Sequence, residues 1–288
     1  MFLWRASLRN RLTIAMCAFS IVSGCAMQQF LRVDERRVDE RLRFFLGGGG
    51  NSLVLSHGAE AFLIDTKFAG ASKSLRHRVE EELLRDVRRI LLTHSHFDHA
   101  DGLERYHHLG PVMVHENTKR RLEARGVRAR WVEVNGSIEL QLGDELVRIW
   151  HPGKGHTDGD LVAYLVKRKL LVTGDLVTAQ NEPVIDLTSG GDVLAFRHTL
   201  DALLQLDFVT ALPGHGEPVG RATLVRLRDY LAQLELEVRD GQSRGWTEDE
   251  VVAGISMKGA PDLEPVPFGA NREKTTRLMD RALRARKE

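Results

Sequence analysis

The 288-residue chain has little of two things that often decide a protein's class, namely cysteine and net charge. Its two cysteines both lie within the first 25 residues, so the remaining chain holds no thiol for a disulfide or a zinc site. A metal site in that part of the chain would have to use histidine and carboxylate side chains. The 41 basic and 40 acidic residues nearly cancel, giving a formal charge of +1. Because no basic excess attracts nucleic acid, we expect no nucleic-acid partner.

The apolar run nearest the start of the sequence is short. Leu12 to Val22 spans 11 residues, which is too few to cross a bilayer comfortably. It follows a basic region formed by Arg5, Arg9 and Arg11. A basic region followed by an apolar run of this length is typical of a secretory signal.

The end of this run, VSGC at positions 22–25, resembles the bacterial lipobox, in which small residues precede a cysteine that becomes the lipidated amino terminus. We therefore predict a lipoprotein signal peptide over residues 1–24 and membrane attachment through a lipid on Cys25. An ordinary cleaved signal and an uncleaved anchor are the alternatives. Ala26 follows, and not the Asp that often retains lipoproteins in the inner membrane. We accordingly expect a lipid-anchored protein of the bacterial cell envelope, in the outer membrane and facing the periplasm.

The most informative stretch is LTHSHFDHA at positions 92–100, which directly follows an apolar, strand-like run. If the chain is still extended at His94 and His96, the two-residue period of a strand aims both imidazoles to one side. Asp98 and His99, beyond a turn, can then face a second point. Imidazole and carboxylate groups at this spacing are typical zinc ligands, and the alternative is an accidental polar cluster on a loop.

Three further residues of metal-ligand type each follow an apolar, strand-like run. They are His156 in GHT, Asp175 in TGD and His215 in PGHG. Together with the cluster at positions 94–99, they resemble the metallo-β-lactamase superfamily. Its H-x-H-x-D-H motif, later histidine, bridging aspartate and last histidine match these seven positions without a gap.

Strand-like and helix-like segments follow one another in two successive blocks, which favours packed sheets covered by helices. With the resemblance, this predicts an α+β fold: a four-layer αβ/βα sandwich (the metallo-β-lactamase fold) with a C-terminal helical extension. After the signal peptide, we expect a polar, charged tether over residues 25–43. A metallo-β-lactamase-like domain is expected over 44–239, and a C-terminal helical cap over 240–288.

The resemblance implies that the seven residues bind two metal ions. His94, His96 and His156 are expected to hold one zinc ion with a fourth position open. Asp175 is expected to bridge the two ions. A hydroxide shared between two ions is a nucleophile at neutral pH, because the ions lower the pKa of water toward ~7. Iron and manganese are alternatives to zinc.

The second ion is expected on Asp98, His99 and His215. Asp98 has a further, catalytic role in this hypothesis. Its carboxylate would orient the bridging hydroxide, take up the proton and pass it toward the leaving group. No nucleophilic side chain is then needed.

Three residues outside the ligand set are candidates for contacts with the site. Asp65 resembles the family's first motif, which implies that its carboxylate bonds the backbone of the metal loop and is not a ligand. His115 and His151 lie at strand ends, where function is common, so we consider both as pocket residues; the alternative is a surface or core role. The glycine run at positions 47–50 is either a plain turn or a flap at the mouth of the site.

The residue at position 175 narrows the reaction class. Zinc β-lactamases usually have Cys or Ser there, whereas lactonases, phosphodiesterases and related enzymes of the superfamily have Asp. We therefore expect a dinuclear zinc hydrolase that uses a bridging hydroxide on a small ester, lactone, thioester or amide in the cell envelope. An iron-dependent sulfur dioxygenase of the same fold is the alternative, and a β-lactamase or a non-catalytic metal-binding lipoprotein is less favoured. The only other partner expected is a small-molecule substrate, and the oligomeric state is left open.

Overall fold

The computed structural model describes residue 29 and residues 31–106, 108–179, 181–266 and 269–286. The signal peptide predicted over residues 1–24, the lipid site at Cys25 and the first residues of the predicted tether lie outside the described residues. Within the described part of the chain, none of the helices combines the length and the apolar character that a membrane span needs.

Seven strands form the first sheet in the order in which they occur along the chain. Neighbouring strands are antiparallel up to the fourth and parallel from the fourth to the seventh. The strands are β1 (Asp34–Arg37), β2 (Leu42–Leu46), β3 (Ser52–His57), β4 (Glu60–Ile64), β5 (Asp86–Leu91), β6 (Pro111–Val114) and β7 (Arg130–Glu133). Parallel neighbours need a crossover connection, which here brings the carboxyl ends of the later strands to one edge.

Six strands form the second sheet, and only one of its neighbouring pairs is parallel. They are β8 (Ser137–Leu142), β9 (Glu145–Trp150), β10 (Val162–Leu165), β11 (Leu170–Gly174), β12 (Thr210–Pro213) and β13 (Val219–Gly220). The parallel pair is β11 with β12, so these two strands end at the same edge of the sheet.

Helices cover the outer faces of both sheets. They are α1 (Ala69–His77, continued by a π turn over Arg78–Glu82), α2 (Phe97–Ala100, continued by a 3-10 turn over Asp101–Arg105), α3 (Glu116–Ala124), α4 (Val193–Leu203), α5 (Arg221–Ser243), α6 (Glu248–Gly254) and α7 (Arg272–Ala285). A single 3-10 turn over Leu187–Ser189 precedes α4.

The hydrophobic core consists of three layers of buried side chains. The central layer joins the facing sides of the two sheets, for example Phe62 and Leu91 with Ile149 and Val172. One outer layer packs the first sheet against α1 and α3. The other packs the second sheet against α4, α5, α6 and α7. The order helix, sheet, sheet, helix confirms the predicted four-layer sandwich with C-terminal helices.

The predicted tether is wrong from Asp34 onward, because β1 pairs with β2 at the edge of the first sheet. The turn between these strands is held by the Asp39 carboxylate, which accepts hydrogen bonds from the backbone N–H groups of Arg41 and Leu42. The Arg43 guanidinium pairs with Glu35 at 2.9 Å. The charged composition that suggested a linker is instead that of an edge strand, which charged side chains protect from pairing with other chains.

The C-terminal helices continue the outer helical layer of the second sheet. The boundary predicted between residues 239 and 240 falls inside α5. Val251 of α6 and Met279 and Leu283 of α7 are buried in the same hydrophobic layer as Leu224 of α5. Residues of the predicted cap therefore share one core with the rest of the domain.

Candidate metal centre

The seven predicted ligands lie at strand ends or in the loops that follow them. His94 to His99 follow β5, with His96 still extended before the short helix α2 turns the chain. Asp175 directly follows β11 and His215 follows β12, the parallel neighbours of the second sheet. His156 lies in the loop between β9 and β10. Both sheets therefore deliver metal-binding residue types to one edge of the sandwich.

The structure brings these seven side chains together in two groups. Potential ligand atoms of His94, His96, His156 and Asp175 lie within 4.8 Å of one another, and so do those of Asp98, His99 and His215. We call the three histidines 94, 96 and 156 the inner group and Asp98, His99 and His215 the outer group.

Asp175 lies between the two groups. Its Oδ2 is 3.9 Å from His94 Nε2 and 3.6 Å from His156 Nε2, on the inner side. Its Oδ1 is 3.1 Å from His99 Nε2 and 3.5 Å from His215 Nε2, on the outer side. One carboxylate oxygen therefore faces each group.

Several buried polar atoms at the cluster have no hydrogen-bond partner. They are His94 Nε2, His99 Nε2 and Asp175 Oδ1. A buried polar atom without a partner costs free energy and calls for an explanation, which a bound cation supplies. The donor set, imidazole nitrogen and carboxylate oxygen without sulfur, suits zinc and other first-row metals. The residues present therefore fit a metal site.

Asp65 lies beneath the metal loop. Its carboxylate accepts hydrogen bonds from the backbone N–H of Thr93 at 2.8 Å and from the Thr93 hydroxyl at 2.7 Å. It also bonds His99 Nδ1 at 2.7 Å. The contact leaves His99 Nε2 directed at the cluster, because one ring nitrogen is already engaged. The carboxylate thus orients a predicted ligand without itself joining either group.

The inner histidines are held in the same way by their second ring nitrogens. His94 Nδ1 lies 3.0 Å from the Thr93 hydroxyl, and His156 Nδ1 lies 2.7 Å from the backbone oxygen of Val184. Such partners fix the tautomer and the ring orientation of a metal-binding histidine. The backbone partner of His156 belongs to the segment that follows Asp175.

Sequence reasoning did not identify Asp186 as a partner of the ligands. Its Oδ2 lies 2.8 Å from His96 Nε2, which directs His96 Nδ1 toward His156 Nε2 at 2.9 Å. The two residues are 90 positions apart, so no local spacing links them. Its Oδ1 also accepts the Thr188 N–H at 2.9 Å and caps the 3-10 turn there. Capping of the 3-10 turn was therefore the only role of Asp186 that the neighbouring sequence could indicate.

The two groups differ in their electrostatics. Burial and then the imidazoles of His99 and His156 hold the pKa of His94 well below its usual range. Burial lowers the pKa of His156 to about 4, although Asp175 opposes the shift. In the outer group burial acts in the same direction, but the carboxylates outweigh it and raise the pKa of His215 to about 9. Metal binding requires neutral imidazoles, so a cation at the outer group must displace protons.

A cavity of about 530 Å³ opens on the outer side of the cluster. Asp98, Asp175 and His215 line it, whereas His94, His96 and His156 do not. The glycine run 47–49 forms part of its wall. A volume of this size is typical of a small-molecule site.

The glycine run is clamped by a buried lysine. Lys67 Nζ donates to the backbone oxygens of Phe45, Gly47 and Gly50 at 2.8, 2.7 and 2.8 Å. All three donors of the ammonium are therefore used by the backbone. Burial lowers the pKa of Lys67 to about 7, against the opposing charges of Asp65 and Asp98. The glycine run is thus a turn at the cavity wall that Lys67 holds in place. The sequence alone did not distinguish a plain turn from a flap.

Two glycines at the cluster leave no space for a side chain. A Cβ on Gly50 would overlap the His99 ring, and a Cβ on Gly214 would overlap Asp175 Oδ1. The backbone therefore packs directly against His99 and Asp175, and a residue with a side chain would not fit at either glycine position.

His115 and His151 lie apart from the cavity wall. His115 caps α3, because its Nδ1 accepts the N–H of Asn117 at 3.2 Å. Its ring packs against His151 with 4.5 Å between centroids, and His151 Nδ1 donates to the backbone oxygen of Asp160 at 2.8 Å. Their contacts are those of a helix cap and a loop, and neither residue is part of the two groups.

Known proteins share this architecture. A family model described as "Metallo-beta-lactamase superfamily" matches residues 46–215. The metallo-beta-lactamase type 2 of Bacillus cereus is 25% identical over 201 residues, covering 67% of this chain and 78% of that protein. A "Probable metallo-hydrolase" of Methanocaldococcus jannaschii is 27% identical over 192 residues, covering 59% of this chain and 89% of that protein.

Among solved structures, a metallo-beta-lactamase from Pontibacter korlensis aligns with a TM-score of 0.64 and 21% identity, covering 70% of this chain and 99% of that chain. This likeness is one of fold. The family match supports the site as well as the fold, because residues 46–215 contain both groups and Asp175. With its clustered histidines and aspartates, the chain belongs to the metallo-beta-lactamase superfamily, as a metal-dependent hydrolase with a His/Asp metal-binding site.

Proposed function

We propose that this protein is a dinuclear zinc hydrolase acting on a small ester, lactone, thioester or amide. The observation that carries the proposal is the placement of Asp175, whose two oxygens face different groups of ligands. A site for a single ion does not need a carboxylate shared in this way. The number of ions, their identity and the substrate are parts of the proposal.

In the proposed site, each group of side chains holds one ion. His94, His96 and His156 supply three nitrogens on the inner side. The outer group supplies two nitrogens and the Asp98 carboxylate. When bound, two zinc ions would supply an activated water and a Lewis acid for the scissile carbonyl.

Asp98 is the chain's own candidate for moving the proton. Its Oδ2 lies 3.0 Å from His215 Nε2 and 3.6 Å from His99 Nε2, and the side chain lines the cavity. Burial alone would raise the pKa of Asp98, but the charges of His99 and His215 hold it below its usual value. The carboxylate is therefore ionised at neutral pH, and as part of the cavity lining it can accept a proton there.

A substrate panel combined with metal analysis tests the proposal. Zinc-loaded and iron-loaded protein would each be assayed with an ester, a lactone, a thioester, an amide, a phosphodiester and a β-lactam. We expect about two zinc ions per chain and hydrolysis of at least one neutral acyl substrate. A single iron per chain, with oxygen consumed on a persulfide substrate, would replace this proposal with the dioxygenase.

We also propose that the protein is anchored to the envelope through a lipid on Cys25. The support is the sequence alone: the basic region, the apolar run and the lipobox-like end at positions 22–25. Cys25→Ser should leave the precursor unlipidated and poorly processed, as seen by mass spectrometry of the amino terminus. Wild-type protein that is free in the periplasm with an unmodified amino terminus would contradict the anchor.

A further inference from the structure

The cavity wall includes a residue beyond the matched family region. Val266 lines the cavity, although the family match ends at residue 215. Its backbone is held on both sides. The N–H of Glu182 donates to the backbone oxygen of Glu264 at 2.8 Å, next to a parallel bridge from Asn181 to Glu264. The Val266 N–H donates to the backbone oxygen of Ala270 at 2.8 Å.

A buried carboxylate ties this wall to the C-terminal helices. Glu182 is 1% exposed, and the Tyr230 hydroxyl of α5 donates to its carboxylate, lying 2.7 Å from each oxygen. The Thr275 hydroxyl of α7 donates to it at 3.3 Å. These hydrogen bonds fix the segment that follows Asp175 against α5 and α7. Because Glu182 of this segment also bonds the backbone of Glu264, they help to fix the position of Val266.

Part of the cavity wall offers apolar surface and no cation. Phe68, Val184 and Val266 line it together with the side-chain-free glycine run. Among the described residues that line the cavity there is no lysine or arginine, and the acidic ones are Asp98 and Asp175. The ammonium of Lys67 does not fill this gap, because its donors bond three backbone oxygens. A substrate carboxylate or phosphate held against these apolar side chains would lose hydration without gaining a cationic partner.

One polar group on the wall is uncommitted. Thr178 is 5% exposed, and its Oγ1 is buried without a hydrogen-bond partner while the residue lines the cavity. A buried hydroxyl without a partner is unfavourable unless a ligand satisfies it. A neutral oxygen of an ester, lactone or amide can accept its hydrogen bond.

We propose that the cavity selects uncharged substrates with an apolar acyl group, and that Val266 sets the acyl length accepted. The proposal rests on the hydrolase function proposed above and specifies its substrate class. The acyl group lies along Phe68, Val184 and Val266, and the Thr178 hydroxyl donates to an oxygen of the substrate.

Full-length zinc-loaded protein would be assayed with p-nitrophenyl esters from acetate to octanoate and with the glutarate half-ester. That half-ester is close to the hexanoate ester in size but ends in a carboxylate. We expect kcat/KM to rise roughly fourfold per added methylene until the chain meets Val266. We expect the hexanoate ester to exceed the half-ester at least about tenfold.

Val266→Trp should remove the gain in kcat/KM with chain length, because the indole fills space that a longer acyl group would occupy. Val266→Ala should shift the preference to longer chains. The matched control is Val209→Trp, at a valine that is 64% exposed and outside the cavity lining. An unchanged chain-length profile in both Val266 variants, or equal turnover of the half-ester and the hexanoate ester, overturns the proposal.

A binding measurement separates this inference from the proposed function. Metal-free wild type and Val266→Trp would be titrated calorimetrically with octanamide and octanoate. We expect wild type to bind octanamide more tightly than octanoate, and Val266→Trp to lose that binding. If no acyl substrate is hydrolysed while this pattern holds, the hydrolase proposal fails and the cavity assignment stands. Octanoate binding as tight as octanamide binding overturns the assignment.

Discussion

The inner and outer groups of the metal centre differ in what surrounds them, although each contains buried and partly exposed side chains, His96 being 25% and His99 0% exposed. The side chains of His94 and His156 are each 1% exposed, and the inner rings are held by the hydroxyl of Thr93, the carboxylate of Asp186 and a backbone oxygen. In the outer group, Asp98 is 21% and His215 is 40% exposed, and both line the cavity. In the proposed site both groups hold an ion, and the outer group is the one whose side chains also line the cavity.

The largest effect should come from replacing Asp175, the residue between the two groups. Asp175→Ala should lower zinc content from about two equivalents to about one, held by the inner histidines, because the carboxylate screens two nearby cations. Hydrolysis should be lost with the second ion. Metal analysis after exhaustive dialysis, alongside turnover, is the measurement.

Asp229→Ala is a suitable control for that variant, since Asp229 is an exposed partner of Arg228 at the surface. If Asp175→Ala keeps two equivalents and normal turnover, the carboxylate does not bridge. If wild type binds one metal at saturation, the dioxygenase alternative gains over the hydrolase.

A change confined to the outer group should affect turnover. Asp98→Asn keeps the size and one oxygen ligand but removes the charge and the proton acceptor. Turnover at full metal loading should fall on the order of 10² or more, the range in which general bases contribute. Asp101→Asn, whose carboxylate lies 3.6 Å from Arg125, should retain normal turnover. Near-normal rates in fully loaded Asp98→Asn would remove the assigned role.

A change behind the inner group should affect metal affinity more than turnover. Asp186→Asn removes the charge that faces His96, and partners of this kind are worth roughly 10-fold to 100-fold in metal affinity. Competition with a chelator measures the affinity, and turnover at saturating zinc should stay close to wild type. Asp192→Asn is the control, because Asp192 caps α4 through the N–H groups of Leu194 and Ala195. Unchanged zinc affinity in Asp186→Asn would show that His96 needs no such support.

A change in the cavity wall beside the outer group should affect stability. Lys67→Met leaves three backbone oxygens without their donor, which should lower the free energy of unfolding by on the order of 3 kcal/mol. Denaturant unfolding measures the change. Lys119→Met removes only an exposed pair with Glu133 and should cost less than about 1 kcal/mol. Equal stability of the two variants would mean that the glycine run holds its conformation without the clamp.

The sequence was most informative where ligands follow strands directly. The positions 94–99 lie within one short segment, so their spacing alone indicated two points of metal binding. The charged segment around Asp34 was wrongly predicted to be a linker. An edge strand and a linker have similar composition, so they cannot be distinguished until the partner strand is known. Asp186 was not predicted to contact His96, and Lys67 and Val266 were not assigned roles, since their partners lie elsewhere in the chain.

By itself, the sequence determined the metal-binding residue types, because these depend on local patterns of apolar runs and polar strand ends. The superfamily and the four-layer class were predicted with the help of the resemblance of the ligand motif to a known family. Only the tertiary structure decided which oxygen of Asp175 faces which group, which histidines stay outside the site and what lines the cavity. Those features depend on distances between residues that are far apart along the chain. Such distances follow from how the two sheets and the C-terminal helices pack, and no local pattern encodes that packing.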